Sequence, residues 1–312
     1  MGYYILGIHP FSPIQFFFME TVFLNAFQYI RPESLEEAGR YLTSDHQVKL
    51  LGGGATLLLQ IKAGEIAPDI LLDVKRLPGF KDVRYHHNQG LKLGAAINLQ
   101  HLVVGLEIRR HYPLLHQTAQ KLASPQVRNR ATIGGTLAWA SPVSELAAPM
   151  LCYDAVCHAW SPRGRRELPL AEFYLGDFKT ALARDEIITQ VHLPSFPNRT
   201  YGVYQRQTVR HDGRRMIAGA AVLAIRKQQA LIHWRIAVLG VDDRPRRIPE
   251  AEAALEGAPT AEDVARALEI VQANIHPMDA VYARADYRRA SLNALLKQAI
   301  TEVIHQLQSL RS

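Results

Sequence analysis

A chain of 312 residues, 48% of them hydrophobic, is long enough to bury a large core and to divide into two or three domains, which excludes a small stapled or disordered protein. Its two cysteines are too few to cross-link an extracellular fold or to hold an iron–sulfur cluster unaided, so a cytoplasmic location is expected. The net charge is +7, but the basic groups (Arg163, Arg165 and Arg166; Arg210, Arg214 and Arg215; Arg244, Arg246 and Arg247) come without aromatic interleaving or a helix-turn-helix, so no nucleic-acid partner is expected; they read as solvated surface or as a complement to an acidic partner subunit.

Residues 1–26 are apolar and aromatic, with Glu20 as their one charged side chain. They lack the basic n-region of a signal peptide, and Pro10, Pro13, Gln15, Glu20 and Asn25 interrupt any membrane span. One reading starts translation at Met19 and leaves residues 1–18 untranslated; an N-terminus at Met1 in mass spectrometry of the native protein would sink it. Pro32 followed by Ser34-Leu35-Glu36-Glu37 is a capping box that predicts a helix to about Leu42, with Leu35, Ala38 and Leu42 inward. Residues 48–51 read as a buried strand. Residues 56–63, closed by Gly64, read as a short helix whose N-terminal dipole faces the glycines before it. Strands are expected at 70–74 and 91–95, separated by Pro78-Gly79 and Asn88-Gln89-Gly90, then helices at about 99–109 and 113–122.

Residues 123–132 read as a polar loop, and Ser144 and Glu145 open another helix with Pro149 in its first turns. Residues 156–160 and 187–193 read as strands on either side of the basic turn 162–166, and Pro194-Ser195-Phe196-Pro197-Asn198 marks a domain boundary. Beyond it, strands at 217–225 and 231–239 flank Arg226-Lys227-Gln228-Gln229 as a hairpin. Thr260-Ala261-Glu262-Asp263 caps a helix to about Ile275 with Val264, Leu268 and Val271 on one side, and an amphipathic helix runs from Asp286 towards Leu310. Strands followed by helices imply a separate α+β domain.

Two glycine runs carry the functional signal: Leu51-Gly52-Gly53-Gly54-Ala55-Thr56, and Ala131-Thr132-Ile133-Gly134-Gly135-Thr136, which continues to Glu145. Adjacent glycines beside a threonine let consecutive backbone N–H groups converge on an anion, and two such runs can hold a pyrophosphate between them; taken singly, each also suits a tight turn. A dinucleotide with two phosphates and two flat ends is the first ligand to consider, and oxidation–reduction the first chemistry. Neither run has the glycine-lysine-hydroxyl ending of a P-loop and no Gly-x-Gly-x-x-Gly follows a strand, which disfavours a nucleoside triphosphatase or an ordinary nicotinamide dehydrogenase. His86 and His87 are expected on opposite faces of a strand, and His101, His111 and His116 lack a zinc-enzyme pattern, so no metal site is assigned. No serine elbow or Cys-His arrangement stands out, so hydrolysis finds no support, and Cys152 and Cys157 suit core packing.

Pro125-Gln126-Val127-Arg128-Asn129-Arg130-Ala131-Thr132-Ile133-Gly134-Gly135 resembles the flavin-binding signature of the FAD subunit in molybdenum hydroxylases, the xanthine dehydrogenase and carbon monoxide dehydrogenase family. Phe27-Gln28-Tyr29-Ile30-Arg31-Pro32 resembles the family's opening, residues 50–62 its first flavin loop, and Asp286-Tyr287-Arg288-Arg289 the start of its last helix, in order along nearly the whole chain. The resemblance implies an α+β fold. A two-part FAD-binding domain of the molybdopterin dehydrogenase type would cover residues 27–196, with subdomains at about 27–80 and 81–196, and a smaller α+β C-terminal domain of the CO-dehydrogenase flavoprotein type residues 197–312; residues 1–26 stand apart as an extension.

The resemblance also implies residue roles. Leu50, Leu51, Gly52, Gly53, Gly54, Ala55, Thr56 and Leu57 surround the flavin diphosphate, mainly through backbone N–H groups, with the Thr56 hydroxyl as an extra donor. Thr132, Ile133, Gly134, Gly135 and Thr136 close over the pyrophosphate and reach towards the isoalloxazine, and Ile187 joins the set. Glu145 meets a ribose hydroxyl of the adenosine, and Arg206, after Tyr204, brings to the flavin a cation that favours its anionic reduced form. Without the resemblance, Arg206 reads equally well as a solvated strand-end residue. Thr136 stands where relatives usually have Asn, Glu145 where Asp is common, and Gly52-Gly53-Gly54-Ala55 where Ala-Gly-Gly-Thr is more frequent, which lowers the expected flavin affinity.

By resemblance the chain transfers electrons within a larger enzyme. A molybdenum-cofactor subunit oxidises the organic substrate, an iron–sulfur subunit relays single electrons, and FAD here collects two and delivers them to NAD or another acceptor. Some relatives carry an extra cluster on a cysteine-bearing insertion, and this chain has no such cysteines. Two alternatives stay open: a self-sufficient FAD-dependent oxidase or reductase, and a flavin-free scaffold subunit that uses the glycines only as turns. A purine, an aldehyde, carbon monoxide or an aromatic thioester would each serve as substrate, and the sequence does not choose among them.

Overall fold

A computed structural model of the chain describes residues 26–196, 199–209, 215–226 and 231–309. The expectations for residues 1–25, Pro197 and Asn198, Arg210 and Arg214, the hairpin residues Lys227, Gln228 and Gln229, and Leu310 lie outside the described residues.

The first unit is a small parallel sheet with two helices. β1 (Gln28–Ile30) leads through α1 (Leu35–Leu42), β2 (Val48–Leu51) and α2 (Leu57–Lys62) to β3 (Ile70–Asp73), and the strands lie side by side in the order β1-β3-β2. Ser34 caps α1 by accepting from the Glu37 N–H at 3.1 Å. The Glu37 carboxylate accepts from Glu33 N–H at 2.7 Å, one residue earlier than the expected capping box requires. Ala38 and Leu42 are buried and Leu35 half-buried. After α2 the chain turns at Gly64, whose φ of +71° is left-handed and suits glycine.

The second unit is built on an antiparallel sheet. β4 (Val83–His86) and β5 (Gly90–Gly94) are followed by α3 (Leu99–Val104), α4 (Leu106–His111), α5 (Pro113–Lys121), α6 (Pro125–Arg128), α7 (Ile133–Ala138) and α8 (Ala147–Cys152). Then come β6 (Val156–Ser161), β7 (Gly164–Pro169), α9 (Leu170–Phe173), β8 (Tyr174–Gly176), β9 (Lys179–Thr180) and β10 (Ile187–Leu193). The sheet order is β4-β5-β10-β6-β7. The single helix expected at 99–109 is two, because Gly105 takes an extended backbone between them. The polar loop at 123–132 holds the short α6, capped by the Ser124 hydroxyl. His86 and His87 stack with ring centroids 4.7 Å apart instead of facing opposite ways, since β4 ends at His86. Cys152 and Cys157 are free and buried, and burial pushes the Cys157 thiol up to about 12.

The third unit contains β11 (Thr200–Thr208), β12 (Met216–Arg226), β13 (Ile232–Leu239), β14 (Arg246–Arg247), α10 (Pro249–Ala254), α11 (Ala261–Asn274) and α12 (Ala285–Gln308). All 11 residues of β12 are buried. α12 covers one face of this sheet while α5 and α8 of the second unit press on it from elsewhere, which is why residues 217–225 read as an unbroken apolar run. Thr260 and Asp263 form a reciprocal capping box at α11. Arg288 is buried, and its Nη1 donates to the carbonyls of Gly240 (2.7 Å) and Ile217 (3.1 Å), tying α12 to the sheet. One large core runs through the first two units and into the third, whose own core lies under α11 and α12.

Basic groups expected to be solvated are ion-paired in several cases: Arg163 with Asp185, Arg166 with Glu186, Arg246 with Asp242 and Arg247 with Glu252. Among the described residues, no helix is long and apolar enough to cross a membrane.

Candidate cofactor site

β2 delivers the first glycine run to the carboxyl end of the parallel sheet, where the chain leaves the ladder before α2 begins. Among the described residues, the backbone N–H groups of Gly53, Gly54, Ala55 and Thr56 donate to no protein acceptor. Gly54 has φ of +71°, so the row of donors turns through a left-handed position that a larger residue adopts only with strain. Four consecutive donors without a protein partner on a half-buried loop are available together to an anionic acceptor.

The second run spends its N–H groups differently. Thr132 caps α7, its Oγ1 accepting from Gly135 N–H at 3.2 Å, while the Ile133 and Gly134 N–H groups donate to the carbonyls of Ile97 and Ala95, both at 2.9 Å. The Thr136 N–H and hydroxyl both donate to the Thr132 carbonyl, at 2.9 and 2.8 Å. The stretch is thus the first turn of a short helix held to the end of β5. Arg128, from the same signature, donates to Leu122 and Ala123 carbonyls (2.7 and 2.9 Å) and to Gln100 (2.9 Å), which fixes the loop ahead of it.

The two runs meet. A Cβ on Gly53 would lie 1.7 Å from the Arg130 carbonyl oxygen, and one on Gly52 2.7 Å from Thr132 Oγ1. A Cβ on Gly134 would lie 2.8 Å from that of Ala95. Only glycine allows these approaches, and the junction they make forms one wall of a cavity of about 500 Å³, within the range that small-molecule sites occupy. Leu50, Gly52, Gly53, Gly54, Ala55, Thr56, Leu57, Thr132, Gly134, Gly135, Thr136 and Ile187 line it. The free donors, the glycine-only junction and the largely apolar lining fit a dinucleotide whose pyrophosphate sits at the first run.

Four of the expected residues do not line the cavity. Leu51 and Ile133 are buried beneath it. Glu145 and Arg206 are joined to each other: Arg206 Nη1 donates to both carboxylate oxygens at 2.6 and 2.7 Å, and the Tyr204 hydroxyl donates to Oε2 at 2.8 Å. Burial pushes the Glu145 carboxyl above its ordinary range against the pull of Arg206. Burial, with Arg206 nearby, lowers Lys121, whose ammonium donates to the Tyr204 carbonyl at 2.7 Å. An adenosine role for Glu145 and a flavin role for Arg206 call for opposite ends of an extended dinucleotide, yet the two side chains occupy one place.

The cavity also has walls that motif reading does not reach. Lys49 and Gln60 come from the first unit, Phe80 and Ala95 from the segments that follow β3 and β5, and Trp139, Phe178, Leu182 and Glu186 from the second. Trp139 lies three residues past Thr136, so the helical turn was its only signal. Glu186 is buried and clamped by Arg166 at 2.6 and 2.7 Å, which holds its carboxyl below the usual range. Beside the first run, Asp73 accepts from Tyr29, Lys75 Nζ (2.7 Å) and Lys75 N–H (3.1 Å); burial works to raise its carboxyl, and these bonds outweigh it and hold it low. Among the described residues, no group of three or more His, Cys, Asp or Glu side chains is placed to hold a metal ion.

Residues 25–196 match the family described as the FAD binding domain in molybdopterin dehydrogenase, and residues 203–303 the CO dehydrogenase flavoprotein C-terminal domain. The chain is 31% identical over 276 residues to the carbon monoxide dehydrogenase medium chain of Hydrogenophaga pseudoflava, covering 88% of this chain and 96% of the relative. It is 29% identical over 281 residues to the nicotine 6-hydroxylase medium subunit of Paenarthrobacter nicotinovorans, covering 89% and 98%. A solved carbon monoxide dehydrogenase from Hydrogenophaga pseudoflava, lacking the Mo-pyranopterin moiety of its cofactor, superposes with a TM-score of 0.83 at 32% identity over 88% of this chain and 96% of that one.

Proposed function

The chain belongs to the FAD-binding medium subunits of the molybdenum hydroxylases, an oxidoreductase family with FAD as its cofactor, and from that premise we propose that it takes electrons from an iron–sulfur subunit and passes them to NAD or another acceptor. Relatives are named as medium chains or medium subunits, which supports assembly with an iron–sulfur subunit and a molybdenum-cofactor subunit. The observation that carries the reading is the row of unpartnered N–H groups from Gly53 to Thr56 on a cavity wall where only glycines fit.

The residues present suit FAD, which when bound supplies the capacity to accept electrons singly and release them in pairs. The first run binds the pyrophosphate with backbone donors that need no reorganisation. The second run supplies shape: α7 is fixed to β5, so Gly134 and Gly135 keep that wall thin. Arg206 brings positive charge towards the flavin, and Glu145 holds its guanidinium in place; this gives Glu145 a supporting role instead of a ribose contact. Residues 27–196 form the FAD-binding domain in this reading, and residues 197–312 the domain that carries Arg206.

The test is to purify the full chain, record its visible spectrum, and identify any chromophore released on denaturation by mass. FAD near one per chain, with two further subunits co-purifying from the source cell, supports the reading. A colourless protein that takes up no added FAD refutes it. Anaerobic reoxidation of the reduced chain by NAD tests the acceptor.

A further inference from the structure

The opening motif, residues 27–32, lends no side chain to the cavity lining, yet two of its polar residues reach the place where the first glycine run begins. Asp73 ends β3, the central strand of the first unit, and lies in register with Leu51, the residue before Gly52. Its carboxylate is 3% exposed and engaged at both oxygens. Oδ1 accepts from the Lys75 ammonium at 2.7 Å and the Lys75 N–H at 3.1 Å, and Oδ2 accepts from the Tyr29 hydroxyl of β1. Arg31 donates to that hydroxyl through Nε at 2.9 Å and stands 3.8 Å from Oδ2. Between these groups and the free donors, the Val74 N–H donates to the Leu51 carbonyl at 3.3 Å, which holds the end of β2 to the segment after β3.

Charge alone does not explain a carboxylate at this place. A buried anion beneath a loop that receives a diphosphate opposes the ligand, and a well-packed neutral side chain would cost less to bury. What the carboxylate does, and a neutral residue does not, is accept from β1 and from the chain after β3 at the same time. It does so at the carboxyl end of a parallel sheet, the end where such sheets hold ligands. Granting that the pyrophosphate of FAD sits at the first run, we infer that Asp73 is a positioning residue for it. Held by Tyr29 and Lys75, Asp73 fixes the end of β3 and through it the exit of β2, so the N–H groups of Gly53 to Thr56 meet the diphosphate already in place. Two cations, Lys75 and Arg31, attend the one carboxylate, so the network sets geometry without presenting net negative charge to the ligand. The polar residues of the opening motif thereby gain a task in cofactor binding although they never touch the cofactor.

The experiment uses the full chain freed of FAD, titrated by calorimetry with FAD and separately with ADP, which carries the diphosphate without the flavin. The proteins are wild type, Asp73→Asn, Tyr29→Phe and the double variant, each also melted without ligand. A hydrogen bond to a charged group is strong enough to shift a local closing equilibrium roughly tenfold, and affinity falls with the share of chains in the competent arrangement. Each single variant is therefore expected to bind FAD and ADP roughly tenfold more weakly, and the double variant no more weakly than Asp73→Asn, because Tyr29 acts through that carboxylate. Asp73→Asn deletes a negative charge beside the ligand, so tighter binding, the result for a purely electrostatic neighbour, overturns the proposal. A lower melting point with unchanged FAD and ADP affinity, the signature of a merely structural residue, overturns it as well, and so do losses that multiply in the double variant. Should Asp73→Asn not fold, Tyr29→Phe decides, since Tyr29 is 46% exposed and the change removes one hydroxyl. A wild-type chain that binds neither FAD nor ADP overturns the cofactor reading itself, and so is told apart from the other outcomes.

Discussion

Gly53→Ala is the sharpest probe of the junction. The new Cβ would sit 1.7 Å from the Arg130 carbonyl oxygen and 2.9 Å from Ala131 Cα, both backbone atoms that cannot rotate away. The two runs must therefore separate by about 1.3 Å to reach the 3.0 Å that real Cβ contacts respect. Overpacking usually costs about 1–3 kcal/mol, and a clash with main chain belongs at the upper end, so about 3 kcal/mol and a melting point lower by about 5 °C are expected. The same shift displaces the free donors from the pyrophosphate. Losing two hydrogen bonds to a charged group at about 1.5–3 kcal/mol each weakens FAD binding by at least about 100-fold. Flavin fluorescence titration of the cofactor-free chain and a thermal melt measure the two effects. Gly64→Ala is the control: its φ is also left-handed but nothing lies within 4 Å of the added carbon, so about 1 kcal/mol of strain and unchanged FAD affinity are expected. If Gly53→Ala binds FAD like wild type, the junction is not the pyrophosphate cradle.

Thr132→Val removes the α7 cap and should cost about 1 kcal/mol in guanidinium unfolding, with Thr132→Ser restoring most of it; equal midpoints for all three would refute the capping role. Arg206→Leu strands Glu145 as a buried charge and should cost about 3–5 kcal/mol near neutral pH. Its cost should shrink in acid as Glu145 protonates, and the further change Glu145→Gln should recover much of it; a pH-independent loss would contradict this. The Glu186 carboxyl is held below its ordinary value of 4.5 by Arg166, so its contribution is present above that value and lost as pH falls through the lower, folded one. The stability gap between wild type and Arg166→Gln should therefore be flat above about pH 5 and close in acid, and a gap that widens on acidification would refute the sign.

The legible parts of the sequence were those where local chemistry sets the outcome. Ser34 and Thr260 announced helix starts, Gly64 a helix end, and the apolar run 217–225 a strand covered on both sides. Legibility failed where long-range contact decides. Local chemistry hinted at strands around His86 and Arg206 without bounding them; β4 is fixed by pairing with β5, and β11 by pairing with β12. The glycine runs pointed to one ligand, but sequence treats them alike. Only the folded structure shows that the first has free donors while the second is a capped helix. The union of Glu145 with Arg206, 61 residues apart, and the seating of Phe178 beside Trp139 depend on chain crossings that no spacing reports.

The first unit has little apolar substance of its own. Among the described residues, its separate core is Leu51, Ile61 and Leu71, with Phe27, Leu57, Leu58 and Ile66 partly packed around them, while Ala38, Leu42 and Leu72 face the larger core shared with the second unit. Such a segment is the natural place for the native state to open first, well before global unfolding. A dinucleotide spanning both glycine runs would latch this weakly held flap to a stronger neighbour. Cofactor escape and amide exchange across β2 and α2 would then share one rate-limiting event, the opening of this segment.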